Sequence, residues 1–309
     1  MSFTPSRFLF SLLSIFLLLA AANRVHAQGE DIWRGVVVEP TKINDTLTLL
    51  MAARGGNMAL SVGEDGVLLV DDHYAPISQK IKDAIAKLTD QPVKFVLNTH
   101  WHGDHTGGNE SFAADGAIIL AHENVRARMG SEQFLESFNR TVPASPKGAL
   151  PVITYRSLNL HFNGEDIEVY HVPNAHTDGD SVIHFKGSDV LHMGDTFFNK
   201  LYPFIDPSSG GNINGVIAGA KIALERTRPT TKIIPGHGPM CGPDELREFH
   251  DMLVVVRDRI QKMIDEGKSQ PEIIAAKPTK EYDEVWGQGF LPPDTWVGIV
   301  HAGLIRGKK

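Results

Sequence analysis

The chain has 309 residues, with 30 Lys and Arg against 37 Asp and Glu and a formal net charge of −7. An acidic chain gains nothing from the phosphate electrostatics that drive nucleic-acid binding, which argues against a nuclease or a nucleic-acid-binding module. One cysteine, Cys241, excludes an intramolecular disulfide, and a chain of this length can be held by its core instead.

Residues 1–27 read as a secretory signal peptide. Arg7 supplies the positive charge, residues 8–22 the apolar stretch, and Val25-His26-Ala27 a small-residue cleavage site. The alternative is a retained anchor, but a spanning helix needs about 18 or more apolar residues. Cleavage removes Arg7 and Arg24, leaving 28 basic against 37 acidic residues and a net charge of −9. The expectation is export across the inner membrane to the periplasm, with residues 28–309 as a single domain and no stable membrane association.

Strands are predicted at 47–53 and 57–62, joined through Arg54-Gly55-Gly56, a hairpin signal. The apolar run 66–71 ends in Asp71-Asp72, as a buried strand does when it delivers a side chain to a site. Residues 77–88 carry helical spacing at Ile77, Ile81, Ile85 and Leu88. Another buried strand, 93–97, leads into His100. A strand at 117–120 and a helix at 123–129 follow. Residues 130–150 are the least regular stretch, a candidate flap. Strands 158–162 and 167–171 flank Asn163-Gly164, a strong hairpin turn. Strands 181–185 and 190–193, a helix at 213–227 and a strand at 232–234 come next. Asp244 is placed to cap a long helix to about residue 266. The mixture implies face-to-face sheets with helices outside.

Chemistry concentrates in His100-Trp101-His102-Gly103-Asp104-His105. On an extended segment, residues two apart share a side, so His100 and His102 can meet one ion. Gly103 lets the chain turn, and Asp104 and His105 can then face a second. Imidazole nitrogen and carboxylate oxygen are good zinc ligands. A lone histidine would more simply be a packed core residue. Three histidines and an aspartate within six residues, directly after a buried strand, are a metal site. Further partners must come from elsewhere, with candidates at His176, Asp195 and His237. Each lies in a loop next to a strand, where chemistry is usually carried. Spacing alone does not select them from the remaining histidines.

The motifs HWHGDH, AHTDGDS, GDTFF and PGHG, in that order, resemble the metallo-β-lactamase superfamily over nearly the whole mature chain. The resemblance implies an α/β fold, the four-layer αβ/βα sandwich, with the site at one edge between two sheets. It implies two zinc ions per chain. His100, His102 and His176 would hold the first, Asp104, His105 and His237 the second, and Asp195 would bridge them. The implied reaction is hydrolysis of an acyl bond in a small molecule (β-lactam, lactone or thioester), with water activated between the metals and Asp104 as the catalytic carboxylate. No Gly-x-Ser-x-Gly elbow offers a protein nucleophile.

Asp195 stands where one antibiotic-hydrolysing subgroup has cysteine, and resembles glyoxalase II and the lactonases instead. Export, by contrast, suits an antibiotic-hydrolysing role. Phe197, Phe198, Leu201, Tyr202 and Phe204 are candidates for an apolar pocket wall, and Lys200, Phe198 and Asn214 for substrate contacts. Asp71 and Asp72 are candidate acceptors for metal-bound imidazoles. His73, His122, His161, His171, His184, His192, His250 and His301 match none of the motifs and are read as packed or surface histidines. Cys241 is read as structural. The rival reading on the same fold is a persulfide dioxygenase-like oxidoreductase with one iron on His100, His176 and Asp195. A non-catalytic module with a structural metal is disfavoured, because structural zinc sites are closed and four-coordinate.

Overall fold

The computed structural model describes residues 32–306, so the expected leader lies outside the described residues. The chain divides into two compact units, Met1–Val37 and Val38–Lys309. Among the described residues the first unit contributes a helical turn at 32–34.

The second unit is built on two sheets. The larger joins β1 (Val38–Lys42), β2 (Leu47–Ala52), β3 (Met58–Gly63), β4 (Gly66–Val70), β5 (Val93–Leu97), β6 (Ile118–His122) and β9 (Ile153–Tyr155), in that order. The smaller joins β10 (Ser157–Phe162), β11 (Glu165–His171), β12 (Ser181–Phe185), β13 (Val190–His192) and β14 (Lys232–Ile234). A separate ribbon pairs β7 (Gln133–Leu135) with β8 (Arg140–Val142).

Helices α1 (Ser78–Ala86), α3 (Asn109–Ala114) and α4 (Glu123–Met129) pack on strands of the larger sheet, and the single turn α2 (Gly103–Thr106) lies in the loop after β5. Toward the C-terminus come α5 (Ile213–Leu224), α6 (Pro243–Asp265), α7 (Gln270–Ala275), α8 (Asp283–Trp286) and α9 (Pro293–Arg306). Between the sheets lie Leu49, Leu68, Val70 and Leu97 from one side and Ile167, Val169, Ile183 and Ile234 from the other. On its other face the smaller sheet buries Val182, Leu191 and Ile233 against Val216 and Ala220 of α5, Phe249 and Leu253 of α6, and Trp296 and Val300 of α9. This is the αβ/βα sandwich. It explains why β4 is apolar without alternation: both of its faces are covered.

The Asn163-Gly164 turn forms as expected, with φ of 55° and 74° and Phe162 opposite Glu165. Two expectations are corrected. Asp244 does not cap α6; Gly242 precedes the helix, and its amide donates to Glu245 Oε2 at 3.1 Å, with Asp244 in the first turn. The irregular stretch 130–150 contains the β7–β8 ribbon, whose three-residue strands are too short to show a period.

Where the chain matters for chemistry is at strand ends. β4 runs parallel to β5, and β13 parallel to β14. Their C-terminal ends open onto the loops that carry Asp71, His100–His105, Asp195 and His237, the usual place for a site in such sheets.

One histidine outside these loops couples the fold to acidity. His122 is buried and stacks on His171, with ring centroids 3.9 Å apart and 14° between planes. Burial, and then the neighbouring His171 ring, push its pKa down to about 4. In an unfolded chain it titrates near about 6.5. Above that pH it is neutral in both states and contributes no pH dependence. As pH falls from about 6.5 toward 4, the unfolded chain binds the proton first and the fold loses stability. His122→Gln should therefore lose less stability than the parent between pH 7.5 and 5 in urea denaturation. Equal losses would show that this imidazole is not held neutral by the fold.

Candidate metal centre

The loop after β5 changes backbone conformation at His102. His102 is extended (φ −65°, ψ 150°), and its carbonyl accepts from the amides of His105 and Thr106 to open α2. His100 and His102 thus stay on extended chain, with ring centroids 5.0 Å apart. The helical turn then carries Asp104 and His105 to a different position. The loop between β11 and β12 adds His176, the turn after β13 adds Asp195, and the loop after β14 adds His237.

These seven residues converge in three overlapping groups. Ligand-type atoms of His100, His102 and His176 lie within 4.8 Å of one another, as do those of His100, His105 and Asp195, and those of Asp104, His105 and His237. Asp195 ties the groups together. Its Oδ2 lies 3.8 Å from His100 Nε2, 3.5 Å from His176 Nε2 and 3.4 Å from His237 Nε2, while its Oδ1 lies 3.0 Å from His105 Nε2. Asp104 Oδ2 is 3.3 Å from His237 Nε2 and 3.6 Å from His105 Nε2.

Hydrogen bonds on the far side of each ring decide which nitrogen faces inward. His176 Nδ1 donates to the Phe204 carbonyl at 2.6 Å. His102 Nε2 donates to Asp206 Oδ2 at 3.2 Å. Asp71 accepts from the Thr99 amide at 2.7 Å, from Thr99 Oγ1 at 2.8 Å and from His105 Nδ1 at 2.7 Å. Since the Thr99 hydroxyl proton is given to Asp71, Oγ1 can only accept from His100 Nδ1, 3.0 Å away. Every one of these four rings therefore turns a bare lone pair into the site.

That arrangement fits a cation and little else. His176 Nε2 and His102 Nδ1 face each other at 2.7 Å, both without a proton under this pattern. His100 Nε2, His105 Nε2 and Asp195 Oδ1 are buried without a hydrogen-bond partner. Buried lone pairs left unpaired or opposed are costly, and a metal ion satisfies them together. Burial pulls His100 and His176 toward the neutral form and takes His176 down to about 4. At His237 the carboxylates outweigh burial, Asp195 first and then Asp104, and raise it to about 9. Burial alone would raise Asp195, but the imidazoles around it, His105 first, hold it well below the usual carboxylate range.

Backbone that comes very close to the ligands frames the site. A Cβ on Gly56 would sit 2.1 Å from the His105 ring, and one on Gly236 would sit 2.0 Å from Asp195 Oδ1. Asn57 staples the two sheets together here. Its amide donates to the Gly236 carbonyl, and its side chain donates to the carbonyls of Pro235 and Gly238.

A family model described as the metallo-beta-lactamase superfamily matches residues 52–237. The chain belongs to the metallo-β-lactamase superfamily. It is 31% identical over 144 residues to the 2,4-dinitroanisole O-demethylase subunit alpha of Nocardioides sp. (strain JS1661), across 44% of this chain and 39% of that protein. It is 29% identical over 192 residues to a hydroxyacylglutathione hydrolase of Polaromonas sp., across 60% of this chain and 63% of that protein. A linear primary-alkylsulfatase of Pseudomonas sp. matches at 22% across 68% of this chain and 47% of its own length. The matches thus span less than two thirds of each of these relatives. Among solved structures, a metallo-β-lactamase from Pontibacter korlensis gives a TM-score of 0.57 at 19% identity, covering 70% of this chain and 98% of that one. A stereoselective inverting sec-alkylsulfatase from Pseudomonas sp. gives 0.62 at 16%, covering 85% and 50%. At such identities the structures carry the superfamily fold alone. Together with the ligand groups, the superfamily makes this a metal-binding, hydrolase-like protein.

The residues expected as substrate contacts each have a partner in the fold. Lys200 is ion-paired with Glu248 of α6. Asn214 is exposed at the start of α5 and accepts from Arg257 Nη1 at 2.6 Å. Phe198 is fully buried and stacks on the His237 ring, centroids 4.7 Å apart, so it packs a candidate ligand. Cys241 and the eight remaining histidines join none of the three groups among the described residues. Sequence reasoning missed Thr99, Asp206 and Asn57, which orient ligands or their loops without any motif of their own.

Asp71 sits at φ 60°, a left-handed conformation that Asp and Asn tolerate better than other side chains, so Asp71→Asn leaves the backbone unstrained. Asp71→Asn and Asp206→Asn should each weaken metal affinity about 10- to 100-fold in chelator competition. Affinities equal to the parent's in both would remove these carboxylates from the site.

Proposed function

We propose that this protein is an exported hydrolase that uses two zinc ions to cleave an acyl bond (β-lactam, lactone or thioester) in a small-molecule substrate. The observation that carries this reading is Asp195, whose carboxylate lies among imidazoles of both sets, with Oδ2 3.5 Å from His176 and 3.4 Å from His237 and Oδ1 3.0 Å from His105. His100, His102 and His176 would hold one ion, Asp104, His105 and His237 the other, with Asp195 between them. Bound zinc would supply Lewis acidity, polarising a substrate oxygen and acidifying a nearby water.

The chain's own contribution is orientation and proton handling. Asp71, Thr99, Phe204 and Asp206 fix the imidazoles so that no reorganisation is needed during reaction. Asp104 is the less enclosed of the two carboxylates, with a side chain 17% exposed against 5% for Asp195. Asp104 Oδ1 takes the proton that water gives up and passes it to the leaving group. The acyl assignment draws support from the hydroxyacylglutathione hydrolase likeness and from aspartate at 195. Export to the periplasm draws support from the leader pattern of residues 1–27.

Two measurements test this. His102→Ala and His176→Ala should each lose one metal equivalent and lower hydrolysis by more than about a hundredfold; full metal content in both would overturn the ligand assignment. The zinc-loaded protein should cleave at least one of a chromogenic cephalosporin, a simple lactone and an acyl-glutathione thioester. Turnover of a primary alkyl sulfate alone would overturn the acyl assignment. Oxygen uptake with bound iron would favour the dioxygenase-like reading instead.

A further inference from the structure

The ribbon β7–β8 reaches toward the candidate metal centre through one aromatic side chain. Phe138 stands at its apex, next to Asn139 at φ 47°, which turns the chain back into β8. The Phe138 ring lies 4.7 Å from the ring of Phe204. Phe204 in turn lies 5.7 Å from the His102 ring and 5.7 Å from the His176 ring. An unbroken aromatic path thus runs from solvent to two of the inward-turned imidazoles. Phe204 is 6% exposed, whereas Phe138 keeps 44% of its surface exposed.

What sets Phe138 apart from other exposed apolar side chains is its place, one ring away from two of the inward-turned imidazoles, where covering it would remove apolar surface from water. Its position is held by two tethers, both at Glu136, and their anchors are fixed in turn. The Glu136 amide donates to Ser208 Oγ at 3.4 Å. Ser208 itself donates to Asp206 through both its amide and its hydroxyl. Arg306, at the end of α9, donates to the Pro207 carbonyl at 2.8 Å and ion-pairs with Glu136. The apex of the ribbon is therefore anchored to the loop that orients His102.

We propose that Phe138, stacked on Phe204, is a specificity-determining residue that receives the apolar acyl chain of the substrate beside the metal centre. This rests on the hydrolase reading above and narrows its substrate to acyl compounds with a sizeable apolar acyl group. A substrate chain lying along the two rings would cover Phe138 and place the acyl carbon next to His102 and His176. Short acyl groups would leave the ring exposed and gain nothing from it.

The test compares Phe138→Ala with the parent and with Phe134→Ala, a change on the same ribbon at another exposed phenylalanine. Binding of octanohydroxamate and acetohydroxamate to the zinc-loaded protein is measured by calorimetry, alongside kcat/KM for octanoyl and acetyl thioesters. Phe138→Ala should weaken octanohydroxamate binding about tenfold, leave acetohydroxamate within about twofold, and be partly rescued by Phe138→Leu. Phe134→Ala should change neither. Equal weakening of both hydroxamates, or no change in either, would overturn the proposal. If octanohydroxamate shows the selective loss while no thioester is cleaved, the pocket stands and the acyl-hydrolase reading falls. Metal content and urea midpoint of each variant, expected to match the parent, separate a local effect from misfolding.

Discussion

A carboxylate that is almost wholly buried among imidazoles sets the terms for the rest of this molecule. Asp195 could not be kept ionised there by hydrogen bonds alone, since its Oδ1 has no such partner. His102 and His176 pose the same problem in the opposite sense, with two unprotonated nitrogens in opposition. Each arrangement is unfavourable alone, and together they amount to a cage for positive charge. The order of the far-side hydrogen bonds then follows. If any ring were reversed, a proton would point into the cage and its carbonyl or carboxylate partner would be left unsatisfied. Thr99 shows how tight this logic is. One hydroxyl, with one proton to give, settles the tautomer of His100 because Asp71 has already claimed that proton.

The sandwich exists, in functional terms, to bring four strand ends from two sheets within reach of that carboxylate. The parallel pairs β4–β5 and β13–β14 send their C-terminal ends to the same edge, and Asn57 spans the gap between a loop of one sheet and the His237 loop of the other. Side chains at 56 and 236 would block the approach, so glycine is required at both for reasons of space rather than backbone angle.

Much of this was legible in the sequence, and the reasons differ by element. Strands such as 93–97 and 181–185 are apolar, β-branched runs bounded by turns, and their ends fall where the pattern puts them. The histidine run is legible because ligand chemistry needs several donors close together in the chain. Asp206 is not, because it acts on one ring from a loop 104 residues away and carries no local signature. The surroundings of Lys200 and Asn214 were not legible for a related reason. Proximity to Asp195 along the chain says nothing about direction, and both side chains found partners on α6 instead. Phe138 was hidden in a stretch whose strands are too short for periodicity. The ribbon is held through Glu136 by Ser208 and Arg306, both distant in sequence.

The loop from Phe204 to Ser209 gathers functions that would otherwise need separate elements. The Phe204 carbonyl sets the tautomer of His176, while its ring supports Phe138 and touches both His102 and His176. Asp206 accepts hydrogen bonds from His102, Ser208 and Ser209, which fill its lone pairs. Those donors hold the carboxylate in its ionised form despite burial, as its lowered pKa requires. Trp101, between His100 and His102, donates to Ser209 Oγ at 3.1 Å and so returns the connection to the histidine run itself. A displacement of this loop would therefore alter the metal ligands and the apolar pocket together. Ligand geometry and substrate fit are in this way parts of one constraint, and the ribbon anchored to Ser208 shares it.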